Sequence, residues 1–316
     1  MNALARAPIF NTPFAWLIRR ELWENRYLWL APLVLVLAIL AAALFGWVFF
    51  GHAALHLDGE ELEHMHNMTV DQIVPFVSVG LATLALPFLA IAILVTQLFY
   101  ALDTLYGDRR DRSILFYKSL PVSDTATVLS KLAVATVGVL VITFVASLLT
   151  QILIAALTSI ELYRYPVLLA ALWSPRVWGG VIVLMAYMVV ALSLWYLPVV
   201  GVWLLISARA NRAPFMWMLL LVLGLPIAEG IGLRTHHVLD LIGRRLYFVA
   251  PLDVHELGAA LHRGAQGVPD AHAPVVSNVI APAQYLANPE LWIGLVAAAI
   301  LIALTIWLRK SAEASS

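Results

Sequence analysis

Only three lysines, Lys118, Lys131 and Lys310, are available for phosphate chemistry in this chain. A loop that cradles the phosphates of a nucleotide needs G-x-x-x-x-G-K-[ST], so that backbone amides and the lysine converge on the anion. These lysines follow Tyr117, Ser130 and Arg309. None follows glycine, and the chain carries no such loop. It also has no cysteine, which removes disulfides, thiolate zinc sites and cysteine nucleophiles. No apolar run holds a pair of carboxylates, an H-E-x-x-H or a G-x-S-x-G, and this argues against a membrane-embedded enzyme. No catalytic residue is expected.

The remaining polar candidates sit in apolar surroundings. Glu229 lies in L-G-L-P-I-A-E-G-I-G-L, where Pro226 and its neighbouring glycines weaken a helix. A carboxylate inside a membrane is costly and often marks a transport path. Pairing with a nearby arginine such as Arg234 would equally account for it. Thr96 and Gln97 are the other candidates for a path, and ordinary hydrogen bonding between helices is the simpler expectation for both. His52, His56, His64 and His66 share an acidic stretch with Met65 and Met68. His-x-His can hold zinc or copper, but short polar tracts of this kind are commonly just solvated. No metal is expected.

The densest charge lies between residues 103 and 131, DTLYGDRRDRSILFYKSLPVSDTATVLSK. Asp108, Arg109, Arg110, Asp111 and Arg112 form a mixed-charge knot. Ile114, Leu115 and Phe116 then make an apolar patch, followed by Lys118. Ser119-Leu120-Pro121-Val122-Ser123 interrupts the chain, and Ser123 or Asp124 can cap the next helix. A charged flank that merely orients a protein in a membrane needs a few Lys or Arg. It does not need an amphipathic insert, so this stretch reads as a docking element.

What positions these residues is a set of membrane spans. Of the 316 residues, 62% are hydrophobic and 12% charged, against about 25% charged in an ordinary soluble domain. Lipid accepts helices that are apolar all round. A hydrocarbon core about 30 Å thick needs about 20 apolar residues. The windows that qualify are 27–50, 72–102, 132–160, 177–208, 213–233 and 291–308. The expected fold is an all-α membrane protein with six spans in one domain. The first run, from Tyr27 to Gly51, exceeds the apolar core of a cleaved signal, about 7–15 residues, and is expected to be retained.

Flanking segments complete the plan. Thr12-Pro13 suits a helix start. Phe14, Leu17, Ile18 and Leu22 recur at helical spacing, with Arg19, Arg20, Glu21 and Glu24 between them. This predicts an amphipathic helix on the membrane surface, the plainer alternative being a charged flank. Val238, Leu239, Leu241, Ile242 and Leu246 predict a short amphipathic helix in the fifth connection. Asp253 with Glu256 predicts another.

The loop motif resembles that of the permease subunits of ABC-2 type transporters, also called type V exporters. Their loop runs from an acidic-basic cluster through a small hydrophobic helix to S-L-P-V-S, with a lysine at the start of the next span. Here these are Asp108 to Arg112, Ser113 to Lys118, Ser119 to Ser123, and Lys131. Arg112-Ser113 stands where many members have Gly-Thr. The resemblance implies a non-enzymatic subunit of an exporter in a bacterial inner membrane, with no cofactor of its own. ATP and magnesium would belong to two copies of a separate ATP-binding subunit. A second copy of the permease, or a related one, would complete the path. The segment from Tyr106 to Ser123 would be a coupling helix, braced by the N-terminal helix. The cargo would be hydrophobic or amphipathic, either exported or extracted from the bilayer. An ion-coupled transporter remains the alternative, although it would call for more buried ionisable groups than Glu229. Zero net charge offers nothing to nucleic acid.

Orientation follows from lysine and arginine. With six spans, 13 of the 19 fall on the side of both termini and 6 on the other. Cytoplasmic loops carry the excess, so both termini are expected inside. Single cysteines introduced at Asn2 and Ser316 should resist an impermeant maleimide in intact cells, and those at Glu63 and Gln266 should react. Labelling of either terminus from outside would reverse the assignment.

Overall fold

The computed structural model describes residues 13–50, 69–110, 123–246, 280 and 282–314. Among these residues the protein is helical throughout with no strand, and six stretches are long and apolar enough to cross a membrane. Helix α1 is Pro13–Glu24 and α2 is Tyr27–Phe50, with Asn25 and Arg26 making the turn between them. Proline at the first position costs nothing there, because that amide has no helical acceptor. Helix α3 is Val70–Arg110. Its 41 residues make about 60 Å at 1.5 Å per residue, about twice a hydrocarbon core, so α3 tilts or projects.

The third span begins as α4, Asp124–Ala133, passes through a π-helical turn at Val134–Gly138, and continues as α5, Val139–Glu161. Ser123 is the cap, its hydroxyl accepting from the Ala126 amide at 3.2 Å. A 3₁₀ turn at Leu162–Arg164 and the short α6, Pro166–Leu172, lead to α7, Pro175–Arg209. The fifth span is α8, Pro214–Leu219, a second π-helical turn at Leu220–Gly224, and α9, Leu225–Gly232. Then come α10, His237–Leu246, α11, Pro282–Ala287, and α12, Pro289–Ala314. Helix lies along each of the expected windows. The second continues through Arg110, beyond the expected end at Leu102, and the third starts at Asp124 rather than Leu132. The expected helix at 253–261 and the histidine tract at 52–66 lie outside the described residues.

Helices α3 and α7 form the centre, and the others pack around them. Their seam carries three apolar layers. Ile73, Val77 and Leu81 meet Val177, Val181 and Met185. Leu89 and Ile93 meet Met188, Leu192 and Trp195. Tyr100 and Leu105 meet Val200, Trp203 and Leu204. Helix α12 approaches α7 at Gly201, where a Cβ would stand 3.1 Å from that of Leu301. Small residues admit such close backbone approach in membrane helices.

The outer layer is built for lipid. Only 22% of the apolar window in the first and sixth spans is buried, and 6% in the fifth. In water so much exposed apolar area would drive aggregation; in a bilayer it has no such cost.

Helix α10 is tied to the core by Arg245. Its guanidinium lies 4.6 Å from the Trp195 ring centroid. It donates to the Glu290 carbonyl at 2.6 Å, and the Trp195 indole donates to the Arg245 carbonyl at 3.2 Å. Nearby, the Tyr285 hydroxyl donates to the Ala191 carbonyl at 2.6 Å. Burial raises that hydroxyl above its ordinary range, so it keeps its proton. Helix α10 thus folds the chain back on α7 and α12 after the fifth span.

Ala213 joins α7 to α8 with φ at +44°, in the left-handed region where a Cβ crowds the next carbonyl. Ala213→Val should lower stability by about 1 kcal/mol or more, and Ala213→Gly should not. Thermal midpoints of the purified variants in one detergent check this ordering.

Candidate functional site

Where α3 ends and α4 begins, five charged side chains from four helices meet under cover. Lys131 of α4 is at the centre, with its side chain 2% exposed. Its ammonium donates to Glu21 Oε1 at 2.7 Å, to the Thr104 hydroxyl at 3.0 Å and to the Thr104 carbonyl at 3.1 Å. Asp108 Oδ1 stands 3.2 Å away. The other Glu21 oxygen accepts from Asn25 at 3.0 Å, from the Tyr100 hydroxyl at 3.1 Å and from Thr104 at 3.3 Å. On the far side of Asp108 is Arg309 of α12, at 3.5 Å, and its Nε also donates to Asp124 Oδ1 at 2.9 Å.

Local sequence builds this node. Glu21 reaches inward because Leu17, one turn back on the same face of α1, is buried. Gly138 lets α1 come close, since a Cβ there would sit 3.4 Å from Leu22. Thr104 and Asp108 are one turn apart on α3, so both present to one cation. A lone buried lysine would be costly, and here every ammonium proton has an acceptor. The three carboxylates and two cations alternate, so that each buried charge has an opposite neighbour.

Arg109 turns the other way. It donates to the Ser207 and Ala210 carbonyls at the end of α7. Ser207 in turn donates to the Leu102 carbonyl at 2.8 Å and accepts from the Leu105 and Tyr106 amides. Arg110 is exposed, with Asp103 at 3.9 Å and the Tyr106 ring 5.8 Å away. Asp108, Arg109 and Arg110 are thus the last turn of α3 rather than loop residues. They stay helical because the bundle supplies their partners. Asp111, Arg112, Ile114, Leu115, Phe116 and Lys118 lie outside the described residues.

On α1, Arg19 and Glu24 are exposed, and Arg20 donates to Glu24 at 2.6 Å. Arg19 and Arg20 also lie near the Trp23 and Trp16 rings, at 5.9 and 5.8 Å. Glu21, grouped with these by spacing, belongs to the buried face instead. Pairing of Glu21 with Lys131 escaped the sequence reading because the two are 110 residues apart. One signal was present: Glu21 follows Leu17 at the spacing of a shared face.

Glu229 has local partners. Its carboxylate accepts from the Thr235 hydroxyl at 2.7 Å and from the His237 and Val238 amides at 2.9 and 2.7 Å. It caps α10 and fixes the turn after α9, and Arg234 is not among its partners. Thr96 and Gln97 are fully buried, yet the expected hydrogen bonds between helices are not made. Thr96 Oγ1 and both amide atoms of Gln97 have no partner among the described residues, and the same holds for Ser147 Oγ, Gln151 Oε1 and Ser193 Oγ. Apolar residues of α5 and α7 pack along this part of α3, which leaves few acceptors in reach. Among the described residues no group of histidines and carboxylates could hold a metal ion.

No family model, no curated protein and no solved structure matches the chain.

Removing the central cation strands Glu21 and leaves Asp108 with Arg309 alone. Lys131→Met should cost about 3–5 kcal/mol. Adding Glu21→Gln should recover part of it, because one stranded charge is then neutral. Thermal midpoints of the single and double variants test the coupling, and simple additivity would refute it.

Proposed function

We propose that this protein is the membrane subunit of an ATP-driven exporter, with ATP and magnesium bound and hydrolysed on a separate chain. The observation that carries the reading is the buried charge node. It stands at both ends of the segment 111–122, and it ties the end of α3, the start of α4, the N-terminal helix α1 and the end of α12 into one unit. A force on the segment would reach four helices at once. Such coupling through charges is stiff, because separating buried opposite charges costs several kcal/mol.

In this reading α1 lies along the cytoplasmic face of a bacterial inner membrane, both termini are cytoplasmic, and the segment from Asp111 to Ser123 seats in a groove of the ATP-binding subunit. Two permease copies surround the path, and two ATP-binding chains sit below. The weakly buried first and fifth spans leave apolar area for a second copy. ATP-driven closure would shift the permease between two arrangements by binding one of them better. The absent nucleotide loop and the amphipathic insert support this over an ion-coupled transporter. So does Glu229, which is engaged in capping α10.

Phe116 is the expected anchor of the insert, as buried aromatics carry much of the binding energy at interfaces. Phe116→Ala, or Arg110→Glu with Arg112→Glu, should leave thermal stability intact. Either should weaken capture of the ATP-binding subunit roughly thirtyfold, with matching loss of stimulated ATPase turnover in proteoliposomes. Parent-like capture and turnover in both variants would refute docking at this segment.

A further inference from the structure

At the same end of the bundle as the charge node, a separate cavity of about 820 Å³ opens between the end of α7, the start of α8 and the last turns of α12. Its apolar walls are Leu205, Ile206, Leu304 and Leu308. Its polar rim is rich in donors: Arg209, Asn211 and Arg212 from the α7–α8 turn, with the indoles of Trp217 and Trp307. Among the described residues no carboxylate lines it. Arg209 and Arg212 are exposed, and neither has an ion-pair partner among the described residues. The node around Lys131, at the same end of the bundle, mixes signs instead.

The turn that carries the two arginines is fixed in place. Arg109 holds the Ser207 and Ala210 carbonyls from below, and Ala213 takes up its left-handed conformation just before Pro214. The guanidinium groups therefore project from a braced support. Trp217 and Trp307, more than half exposed, stand where tryptophans gather at a membrane boundary. The volume falls within the range of ordinary ligand sites. An apolar trough roofed by indoles and closed by two unopposed guanidiniums matches one chemistry: an acyl chain attached to an anionic phosphate headgroup.

We infer that this cavity is a binding site for an anionic phospholipid of the surrounding membrane. Arg209 and Arg212 engage the phosphate, with bidentate geometry open to both. The leucines and indoles cover the first part of one acyl chain. The site adds a lipid requirement to a protein that otherwise meets lipid through unspecific apolar faces, and it does not depend on the exporter reading.

The experiment uses the full chain in nanodiscs of phosphatidylcholine, with fluorescent phosphatidylglycerol titrated in against a fluorescent phosphatidylcholine control. The parent should retain phosphatidylglycerol in preference to phosphatidylcholine. Arg209→Gln and Arg212→Gln should each weaken that preference about tenfold, and Arg164→Gln, an exposed arginine at the opposite end, should leave it unchanged. Trp307→Ala should weaken retention of both lipids, which separates the acyl trough from the phosphate clamp. Both arginines are exposed, so thermal midpoints should match the parent and show that folding is intact. Equal retention of the two lipids, or parent-like preference in the Arg209→Gln, Arg212→Gln double variant, would overturn the proposal. So would full competition by inorganic phosphate, which would mark a plain anion site. Disulfide-linked dimers formed through Trp307→Cys in this cysteine-free chain would likewise overturn it, by showing that a second copy fills the trough.

Discussion

A lysine cannot be left alone in an apolar interior. The ammonium of Lys131 is covered on all sides, and desolvation would make it intolerable without compensation. Two carboxylates and a threonine supply that compensation, and each comes from a helix that must be in place for the bond to exist. Much of the lower half of the bundle follows from this one requirement. Helix α1 must dock so that Glu21 arrives. Helix α3 must stay helical past its apolar stretch so that Asp108 arrives. Helix α12 must reach down so that Arg309 neutralises the second oxygen of Asp108. Buried ion pairs seldom add net stability compared with apolar packing, but a broken one is heavily penalised. The node therefore selects one arrangement of four helices more than it strengthens that arrangement.

The opposite end of the chain is held by different means. There Arg245 lies on Trp195 and Tyr285 donates to the Ala191 carbonyl, so α7 receives its partners through an aromatic face and backbone oxygens. Among the described residues no carboxylate side chain pairs with Arg245 there; Glu290 offers its carbonyl instead. The two ends differ in how they can respond to a load. Separating Lys131 from Glu21 is nearly all-or-none. The Arg245 guanidinium divides its contacts between the Trp195 ring and the Glu290 carbonyl, with no buried opposite charge to separate among the described residues.

The spans, α1 and α10 were legible in the sequence because each depends on local pattern: apolar length, helical periodicity, a proline or serine at a start. The cap at Ser123 was legible for the same reason. What local pattern could not show was where the charged ends stop being loops. Asp108 and Lys131 read as boundary charges by composition. They prove to be interior because Glu21 and Arg309, far off in sequence, meet them. Glu229 was misleading in the other direction. Set in an apolar run, it suggests a path, yet its oxygens serve the Thr235 hydroxyl and two amides a few residues on. Thr96 and Gln97 were expected to bond across helices. Their neighbours are apolar, and their polar atoms have no partner among the described residues.

The node also has a consequence for biogenesis. A ribosome delivers Glu21 first, then Asp108, Asp124 and Lys131, and Arg309 only after the last span has emerged. Until then a half-made chain holds three carboxylates against one cation at the edge of the bilayer. That intermediate is electrostatically incomplete, because Asp124 and the second oxygen of Asp108 still wait for Arg309. Arrival of α12 brings Arg309 against Asp108 and Asp124 and halves that local excess.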